Sequence, residues 1–487
     1  MPREIESLHR QAASCLTGDK VSQQLLGCFS SRTGNAMNAA SLYERLKARL
    51  LDGELMAGQR LPSIRKLVAS EQASYHTVVS AYVRLSSEGL IESHQGSGYF
   101  VSPQTLSMPR QAGLEFMAGD PLFKLLQGPP ESIKLGCGWL PPLWRDTELL
   151  ARAIRRTARL EQSSLVEYGD IQGYLPLRKQ LCLHVKRQTR LEVPPNQILT
   201  TLGATQALDL VVRTLIRPGE RVFVDEPGNG NLIKLIQLAG GIVVGVPRTQ
   251  EGPDVKLMQD YLHQHSVRAF FCNSTYHNPT GGNLSPRNAF SVLRLAVEHG
   301  FLIIEDDVYG DFSPANRQTF AELDSLDQVI YIGSFSKLLS ASLRVGYIAC
   351  AAELIEPLTR LKLLTSVAVP GFCERFVNTV LVDGTYLRHM KSVQQQLMTH
   401  QKRAQKALTQ QGWRFDIVPD GGMFLWVRHP DMADLTSFIA RLAKRDVLLM
   451  PGSAFAVERD QSDHTRINVA HFSPDMARLF TEGREEA

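Results

Sequence analysis

The sequence predicts two domains of different class, a small helical domain with a β-hairpin and a large α/β domain with a mostly parallel sheet. Helical repeats followed by a hairpin pattern occupy residues 41–101, and short apolar strands alternate with amphipathic segments from residue 198 onward. A stretch without periodicity that contains several prolines, residues 103–132, separates the two patterns. At 487 residues the chain is also too long for one ordinary core.

The small domain has the outline of a winged helix-turn-helix. Leu42, Leu46 and Leu50 recur at helical spacing and predict a first helix. Ser63 is placed to cap a second helix, and a third helix begins at Ser74. Apolar residues on both sides of a glycine-rich tip, Gln-Gly-Ser-Gly, predict a β-hairpin after it. Three helices and a hairpin in this order form a winged helix.

The large domain shows the βαβ pattern of a sheet covered by helices on both faces. Its candidate strands are 198–201, 221–225, 242–246, 269–272, 301–305, 329–332 and 345–349. Amphipathic segments such as 205–216 and 288–299 lie between them, and longer helices are expected near 352–364 and 384–410. Strands at 422–427 and 465–469 indicate a smaller α+β subdomain at the C-terminal end.

Composition sets limits on the class of protein and on its location. With 43% hydrophobic and 21% charged residues the chain is of globular type, and its net charge of +4 permits a nucleic-acid partner without requiring one. No apolar run is long enough for a membrane span, and the first thirty residues lack the apolar region of a secretory signal. Seven cysteines without a CxxC pair indicate reduced thiols and no metal site, so we expect a cytoplasmic protein.

We expect four segments along the chain. They are a poorly ordered extension (1–36), a winged helix (37–102), a linker (103–132) and the large domain (133–487), whose smaller subdomain begins near residue 365.

A lysine between hydroxyl groups follows one predicted strand of the large domain. Ser334, Ser336 and Lys337 come directly after strand 329–332, and Arg344 is seven residues further on. A lysine held in a pocket at a strand end can bind the aldehyde of pyridoxal 5′-phosphate covalently, while hydroxyls and a guanidinium bind its phosphate. Taken alone, the Ser-x-Ser-Lys run also fits a lysine on a solvent-exposed loop.

Other segments at strand ends fit the same cofactor. Asp306 ends a buried strand, with Tyr309 three residues later, and a carboxylate facing the pyridine nitrogen keeps that nitrogen protonated. Asn278, in His-Asn-Pro-Thr-Gly, offers an amide to the phenolic oxygen. Ala204 and Thr205 open a helix directly after a strand, where backbone N–H groups bind anions. Ligands of open α/β sheets bind at these strand ends.

On these motifs, residues 133–470 resemble fold-type-I aminotransferases and residues 41–101 resemble the GntR winged-helix domain. The order of the two is similar to that of the MocR subfamily of GntR regulators. The resemblance implies that Lys337 is the catalytic lysine and binds the cofactor, that Asp306 pairs with the pyridine nitrogen, and that Asn278 and Tyr309 bond the phenolic oxygen. It also implies a phosphate site formed by Ala204, Thr205, Ser334, Ser336 and Arg344.

The resemblance further implies a homodimer and a carboxylate site. Tyr168, in Tyr-Gly-Asp-Ile-Gln-Gly, matches a tyrosine that reaches the phosphate of the partner subunit, and Arg466 matches an arginine that binds a substrate carboxylate. From the sequence alone Tyr168 also fits a core aromatic and Arg466 a surface arginine. Asn229 departs from the family, which usually has an aromatic ring there to stack on the pyridine ring. Stacking should therefore be weaker or come from elsewhere.

The small domain carries the residues that would contact double-stranded DNA. Arg65 is placed to reach a phosphate or a groove edge, and the N-terminal end of the third helix would face the bases. The predicted DNA-binding residues are Ser63, Arg65, Ser74, Tyr75, His76, Thr77, Gly96, Ser97 and Gly98. Residues 37–103 contain seven Lys/Arg and six Asp/Glu, so the non-specific electrostatic attraction of this domain to DNA should be modest. A winged helix can also serve as a protein-interaction module.

The two domains together predict a DNA-binding transcription regulator. Its aminotransferase-like domain would sense pyridoxal phosphate or a small amine or amino-acid effector that condenses with the cofactor. The alternative is an active pyridoxal-phosphate-dependent aminotransferase with an ancillary DNA-binding domain, which the cofactor residues fit equally well. The fusion favours the regulator, because a sensor needs a promoter-binding domain and a catalyst gains nothing obvious from one.

Overall fold

The computed structural model describes residues 39–51, 58–71, 73–94, 97–102, 121–160, 166–313, 317–458 and 463–485. The chain divides into two compact units, Met1–Ala118 and Gly119–Ala487. The predicted extension (1–36) and residues 103–120 of the predicted linker lie outside the described residues. Within the described ranges no helix has the length and apolar character needed to cross a membrane.

The smaller unit consists of three helices and a two-stranded antiparallel sheet. These elements are α1 (Ala39–Leu51), α2 (Ile64–Glu71), α3 (Tyr75–Ser87), β1 (Ile91–His94) and β2 (Gly98–Val101). Serine hydroxyls cap α2 and α3, since Ser63 Oγ accepts from Lys66 N at 3.3 Å and Ser74 Oγ accepts from Thr77 N at 3.0 Å. The predicted winged helix is confirmed.

An apolar core holds the winged helix together. Leu42 and Leu46 of α1, Leu67 of α2 and Val78 and Tyr82 of α3 are all buried in it. The Tyr82 hydroxyl also donates to the carbonyl of Pro62 at 2.7 Å, which ties α3 to the residues that lead into α2. The relative placement of α2 and α3, on which DNA recognition by such a domain depends, is therefore fixed by burial and by one specific hydrogen bond.

The larger unit is built on an eight-stranded sheet. Its strands are β3 (Ile198–Thr201), β4 (Arg221–Glu226), β5 (Ile242–Thr249), β6 (Gly252–Pro253), β7 (Ala269–Cys272), β8 (Leu302–Asp306), β9 (Val329–Ser334) and β10 (Gly346–Ala349), in the order β3-β10-β9-β8-β7-β4-β5-β6. The central strands β9, β8, β7, β4 and β5 run parallel, whereas β10 is antiparallel to both of its neighbours. The predicted mostly parallel sheet is confirmed.

Helices cover both faces of this sheet. The helices of the larger unit are α4 (Pro121–Gln127), α5 (Thr147–Leu160), α6 (Leu175–Thr189), α7 (Gly203–Leu215), α8 (Gly230–Leu238), α9 (Val255–Leu262), α10 (Pro286–His299), α11 (Phe320–Asp324), α12 (Ala352–Ser366), α13 (Gly371–Val382), α14 (Thr385–Gln410), α15 (Thr436–Ala443) and α16 (Pro474–Glu485). Successive strand residues enter two separate cores, with Phe270 and Ile303 in one and Phe271 and Ile304 in the other. Burial on both faces explains why these strands read as continuous apolar runs.

A second, smaller sheet completes the C-terminal part. Its strands are β11 (Arg414–Phe415), β12 (Phe424–Arg428), β13 (Met450–Pro451) and β14 (Thr465–Asn468), in the order β11-β12-β14-β13. All contacts within this sheet are antiparallel, so the predicted α+β character of the C-terminal part is confirmed.

Part of the predicted linker belongs to the larger unit. Residues Pro121–Gln127 form α4, whose Leu125 is buried against Trp426, Met450 and Phe455 of the small sheet region. The sequence predicted a linker here because the stretch contains several prolines and has no clear periodic run. Pro121, however, stands at the first helical position, where a proline is tolerated because its missing N–H has no partner there in any case.

Candidate cofactor and DNA-binding sites

The candidate cofactor residues meet because parallel strands end at one edge of the large sheet. Asn278 follows β7, Asp306 ends β8, and Lys337 follows β9, and these three strands are neighbours. Asn273, directly after β7, ties two of these segments together. Its side-chain amide donates to the carbonyl of Asp306, while its Oδ1 accepts from Asn278 N at 2.8 Å.

Three side chains converge on Gly138. A methyl group built on this glycine would lie 3.6 Å from Lys337 Nζ, 3.7 Å from the Tyr309 hydroxyl and 3.8 Å from Arg466 Nη2. The Lys337 ammonium also donates to the Gly138 carbonyl at 2.8 Å. A nucleophile, a phenol and a guanidinium therefore border one small space that a side chain at residue 138 would occupy.

The surroundings of Lys337 favour its neutral form. Burial lowers its pKa to about 8, and the nearby positive charge of Arg466 acts in the same direction. A lysine that loses its proton this easily is a competent nucleophile towards an aldehyde. Its setting does not fit the alternative of a lysine on a solvent-exposed loop.

Asp306 is a largely buried carboxylate without an ion-pair partner among the described residues. Burial raises the pKa of Asp306 to about 7, although a hydrogen bond from Val308 N at 3.3 Å acts in the opposite direction. With Asn278, Tyr309 and Asn229 it lines a cavity of 40 Å³. A buried carboxylate is costly unless a cation or a strong donor meets it, and a protonated pyridine nitrogen is such a donor.

A second cavity, of 310 Å³, contains the candidate phosphate site. Ala204, Thr205, Ser336, Lys337 and Arg344 all line it, and the first two belong to the N-terminal turn of α7. The orphan N–H groups and the dipole of a helix N-terminus attract an anion.

Arg344 is held at this cavity by its neighbours. Its Nη1 donates to Ser336 Oγ at 3.2 Å and its Nη2 to the Leu202 carbonyl at 3.0 Å. Gly203 makes room for the guanidinium, since a methyl group there would lie 2.9 Å from Arg344 Nη2. Ser334, also predicted at the phosphate, does not line the cavity. It is buried, and its Oγ accepts from Ser336 N at 3.2 Å, so it shapes the turn that carries Ser336.

Arg466 lies inside the protein. It is 4% exposed, its Nη1 donates to Asn278 Oδ1 at 2.5 Å and its Nη2 to the Gly136 carbonyl at 2.6 Å. The rings of Phe424 and Phe455 lie 4.7 and 4.6 Å from its guanidinium carbon. The alternative of a surface arginine is excluded, and the side chain is anchored next to Lys337.

Tyr168 has the opposite environment. It is 89% exposed and lines neither of the two cavities of its own chain, so the core-aromatic alternative is excluded. Asn229, at the position where an aromatic ring was expected, borders the 40 Å³ cavity and caps α8 by accepting from Asn231 N at 3.2 Å. The apolar side chains that line this cavity are those of Val224, Leu232 and Phe271.

The predicted DNA-binding residues lie on the surface of the winged helix. Ser63, Arg65, Ser74, Tyr75 and His76 are exposed, Tyr75 at 63%, and Thr77 is half-buried. At the wing, Ser97 and Gly98 are exposed, whereas Gly96 lies outside the described residues.

Sequence reasoning missed Arg60, which pairs with Phe100 of β2 through the backbone. Its guanidinium nitrogens lie 3.6 Å from the position of a methyl group on Gly98, which adds an exposed cation beside the wing. The contact depends on the pairing of Arg60 with β2, which is distant in the chain, and no local motif signals it.

Comparison with known proteins identifies the class. Residues 130–482 match the family "Aminotransferase class I and II", and residues 38–101 match "Bacterial regulatory proteins, gntR family". The first match covers well over half of the chain, so the chain belongs to the class I and II aminotransferase family. The two matches together make it a GntR-type regulator with an aminotransferase-like domain, which confirms the resemblance predicted from the sequence.

Two regulators and one solved enzyme show the extent of the similarity. The HTH-type transcriptional regulator YisV of Bacillus subtilis (strain 168) is 26% identical over 93% of this chain and 95% of its own length. The probable rhizopine catabolism regulatory protein MocR of Rhizobium meliloti is 26% identical over 74% of this chain and 75% of its own. LysN, an α-aminoadipate aminotransferase from Thermus thermophilus solved with N-(5′-phosphopyridoxyl)-L-leucine, shares the fold with a TM-score of 0.71 and 24% identity, over 79% of this chain and 99% of LysN.

Proposed function

We propose that this chain is a transcription regulator that binds pyridoxal 5′-phosphate on Lys337 and changes its affinity for operator DNA when the cofactor, or an amino-acid-like amine, occupies the site. The observation that carries this proposal is the convergence of Lys337, Tyr309 and Arg466 at Gly138 in a chain that also bears a winged helix. The three side chains at Gly138 suit the binding of a carbonyl compound and a carboxylate. The winged helix is a DNA-binding domain.

The residues present fit pyridoxal phosphate. Asp306 would meet the pyridine nitrogen, Asn278 and Tyr309 the phenolic oxygen, and the N-terminal turn of α7 with Ser336 and Arg344 the phosphate. When bound, the cofactor supplies an electrophilic carbon for amines and an electron sink. The task of this chain is to hold a lysine of lowered pKa beside that carbon and an arginine beside the carboxylate of an incoming amine.

A homodimer is part of the proposal. Tyr168, Val166 and Leu364 are 89%, 86% and 83% exposed, which is unusual for large apolar side chains. The segment that carries Tyr168 lies against the residues just after α12, since a methyl group on Gly169 would lie 2.5 Å from the Val369 carbonyl. Burial of these side chains by a second subunit would let Tyr168 reach the phosphate of the partner.

DNA binding and location complete the proposal. The exposed residues at the start of α2 and α3 and at the wing would contact double-stranded operator DNA, with Arg60 and Arg65 on phosphates. Free buried cysteines such as Cys272 and Cys350 support a reducing compartment, and we place the regulator in the cytoplasm.

One preparation can separate the regulator from an active aminotransferase. The DNA upstream of its own gene is footprinted with the cofactor-loaded protein, and amino-group transfer from L-amino acids to 2-oxoglutarate is measured in parallel. We expect a footprint that the Arg65→Ala variant forms only at higher protein concentration, with turnover far below the 1–1,000 s⁻¹ that is roughly typical of enzymes. Turnover within that range together with no footprint on any promoter fragment would overturn the regulator.

A further inference from the structure

Two charged side chains are completely buried next to residues 168–174, the segment that begins with Tyr168 (the tyrosine segment). They are Lys362 of α12 and Glu374 of α13, and each is 0% exposed. Lysine and glutamate are almost never buried to this extent unless they are paired, because removing a charge from water is costly. Neither side chain lines the 40 Å³ cavity or the 310 Å³ cavity, so the cofactor site of their own chain does not account for them.

Both side chains contact the backbone of the tyrosine segment. The Lys362 ammonium donates to the Ile171 carbonyl at 2.7 Å. The Glu374 carboxylate accepts from Tyr174 N at 3.2 and 3.3 Å. Its Oε2 also lies 3.7 Å from the position of a methyl group on Gly169, the residue next to the tyrosine. The two charges therefore meet the segment near its start, in its middle and at its end.

The two charges also act on each other. Burial lowers the pKa of Lys362 to about 8, and the charge of Glu374 acts in the opposite direction. Burial raises the pKa of Glu374, and the charge of Lys362 opposes that rise. Loss of either charge leaves the other buried without compensation, which is strongly unfavourable. Removal of one side chain therefore disturbs both contacts with the tyrosine segment.

Lys362 also connects the tyrosine segment to the large sheet. Its ammonium donates to Thr200 Oγ1 of β3 at 3.4 Å, and Thr200 N donates to the Gln172 carbonyl at 3.0 Å. A methyl group on Gly173 would overlap the Thr200 side chain, so the segment lies directly against β3. The body of the segment is thus fixed to the core of its own chain, whereas Tyr168 at its start is 89% exposed.

We propose that Lys362 and Glu374 are positioning residues for the phosphate site of the other subunit, because they hold the tyrosine segment in the conformation in which Tyr168 reaches that phosphate. Part of the affinity of each subunit for the cofactor phosphate is then set by two charges in the core of its neighbour. This inference rests on the proposed function, since it requires the homodimer in which Tyr168 of one chain meets the phosphate of the other.

Mixed dimers test this assignment, because they separate the subunit that binds the cofactor from the subunit that supplies Tyr168. Two differently tagged full-length chains are co-expressed, and one of them carries Lys337→Ala, so that covalent attachment to this lysine occurs only in the other. Lys362→Met is placed in the Lys337→Ala chain (trans arrangement) or in the chain with intact Lys337 (cis arrangement). Borohydride trapping and mass spectrometry then give the concentration of pyridoxal 5′-phosphate that half-saturates Lys337.

The trans arrangement should need about a tenfold higher cofactor concentration than a dimer of Lys337→Ala with wild-type chain, as expected from the loss of one hydrogen bond to a charged group. The cis arrangement should stay close to that reference dimer. Both arrangements contain the same two substitutions, so a general loss of stability caused by Lys362→Met affects them equally. Half-saturation by pyridoxal, which has no phosphate, should be the same in both.

Arg360→Gln in place of Lys362→Met is the control. Arg360 is exposed on the same helix and pairs with Glu356, so its substitution should change neither arrangement. Tyr168→Phe is the reference and should weaken cofactor binding in trans only. If Lys362→Met prevents assembly of the dimer, Glu374→Gln, which keeps the shape of the side chain and removes its charge, should show the same pattern.

Three results would overturn the inference and leave the proposed function standing. The first is weakening in trans by Tyr168→Phe but not by Lys362→Met or Glu374→Gln. The second is an effect of Lys362→Met that is equal in both arrangements or confined to cis, because the lysine would then serve only its own chain. The third is equal weakening for pyridoxal and pyridoxal 5′-phosphate in trans. Absence of any trans effect of Tyr168→Phe would refute the inference together with the proposed role of Tyr168 in the homodimer.

Discussion

Lys337 and Arg466 show how burial affects two cations differently within one site. Burial lowers the pKa of Lys337 to about 8, which brings its neutral form into the physiological range. Burial also lowers the pKa of Arg466, but an arginine starts so high that it stays charged. The site therefore presents a nucleophile and a permanent cation side by side, and this pairing suits an amine that carries a carboxylate.

The lowered pKa of Lys337 predicts how fast cofactor-free protein captures pyridoxal phosphate at different pH values. Only the neutral amine attacks an aldehyde, so the rate should rise with pH, reach half of its maximum near pH 8 and level off above that, because the pKa is lowered from 10.5 to about 8. Stopped-flow absorbance measures this rate, and in Lys337→Ala borohydride should leave no cofactor attached to residue 337. A rate that kept rising towards pH 10.5, the value of an ordinary lysine, would show that the lysine is not buried as described.

Asn229 predicts a gain of cofactor affinity on substitution. It borders the 40 Å³ cavity where an aromatic ring would stack on the pyridine ring. Asn229→Tyr should supply about 0.5–1.5 kcal/mol of stacking, which corresponds to a several-fold lower dissociation constant for the cofactor. Asn229→Ser, which keeps a cap on α8 without adding a ring, is the control and should not tighten binding. Unchanged affinity in the tyrosine variant would mean that the ring does not lie against this position.

At the scale of the elements, α2 and α3 are expected to contact different parts of the DNA, α2 a phosphate and the start of α3 the bases. Arg65 on α2 is exposed and placed to contact a phosphate, so Arg65→Ala should weaken binding to all sequences alike. The slope of the logarithm of affinity against the logarithm of salt concentration should decrease by about 1. Exchanges at Tyr75 or His76, at the start of α3, should instead alter base preference in a competition assay. An unchanged salt slope in Arg65→Ala would show that the DNA-binding face lies elsewhere.

The strands and most helices were predictable because their signals are local. A run such as Ala269–Cys272 is apolar over its whole length, since both of its faces are buried. The side chains that follow strands, such as Lys337 and Asp306, were predictable as a site because parallel strands end at one edge. Helix α4 was missed because the stretch around it contains several prolines and shows no clear periodicity, whereas burial of Leu125 against the small sheet stabilises the helix. Gly138 has no motif of its own, and only tertiary contacts bring it next to Lys337, Tyr309 and Arg466.

At the scale of the whole molecule, each unit has its own core, and the winged helix should retain some DNA binding when it is separated. The core described for the smaller unit lies within residues 37–103. In a homodimer two winged helices bind two half-sites, and such linkage raises affinity by roughly 10²–10⁴. A fragment ending at Pro103 should therefore bind operator weakly and the full chain tightly, as measured by fluorescence anisotropy. Equal affinities would contradict the dimeric arrangement.

The central claim is that occupancy of the Lys337 site sets operator affinity. A ligand changes that affinity only by its preference for one of two states of the protein, and a tenfold change requires about 1.4 kcal/mol of coupling. Arg466→Ala separates the two candidate effectors. If the effector is an amine, the operator affinity of this variant should no longer change when the amine is added, although it still binds the cofactor. If the effector is pyridoxal phosphate, the operator affinity of the variant should respond to the cofactor as that of the wild type does.

The most direct measurement is the operator affinity of the full-length protein in three states, cofactor-free, cofactor-loaded and loaded with both cofactor and amine. The account predicts that at least one of these affinities differs from the others by about tenfold or more, and that Lys337→Ala removes the difference. Identical affinities in all three states would contradict it.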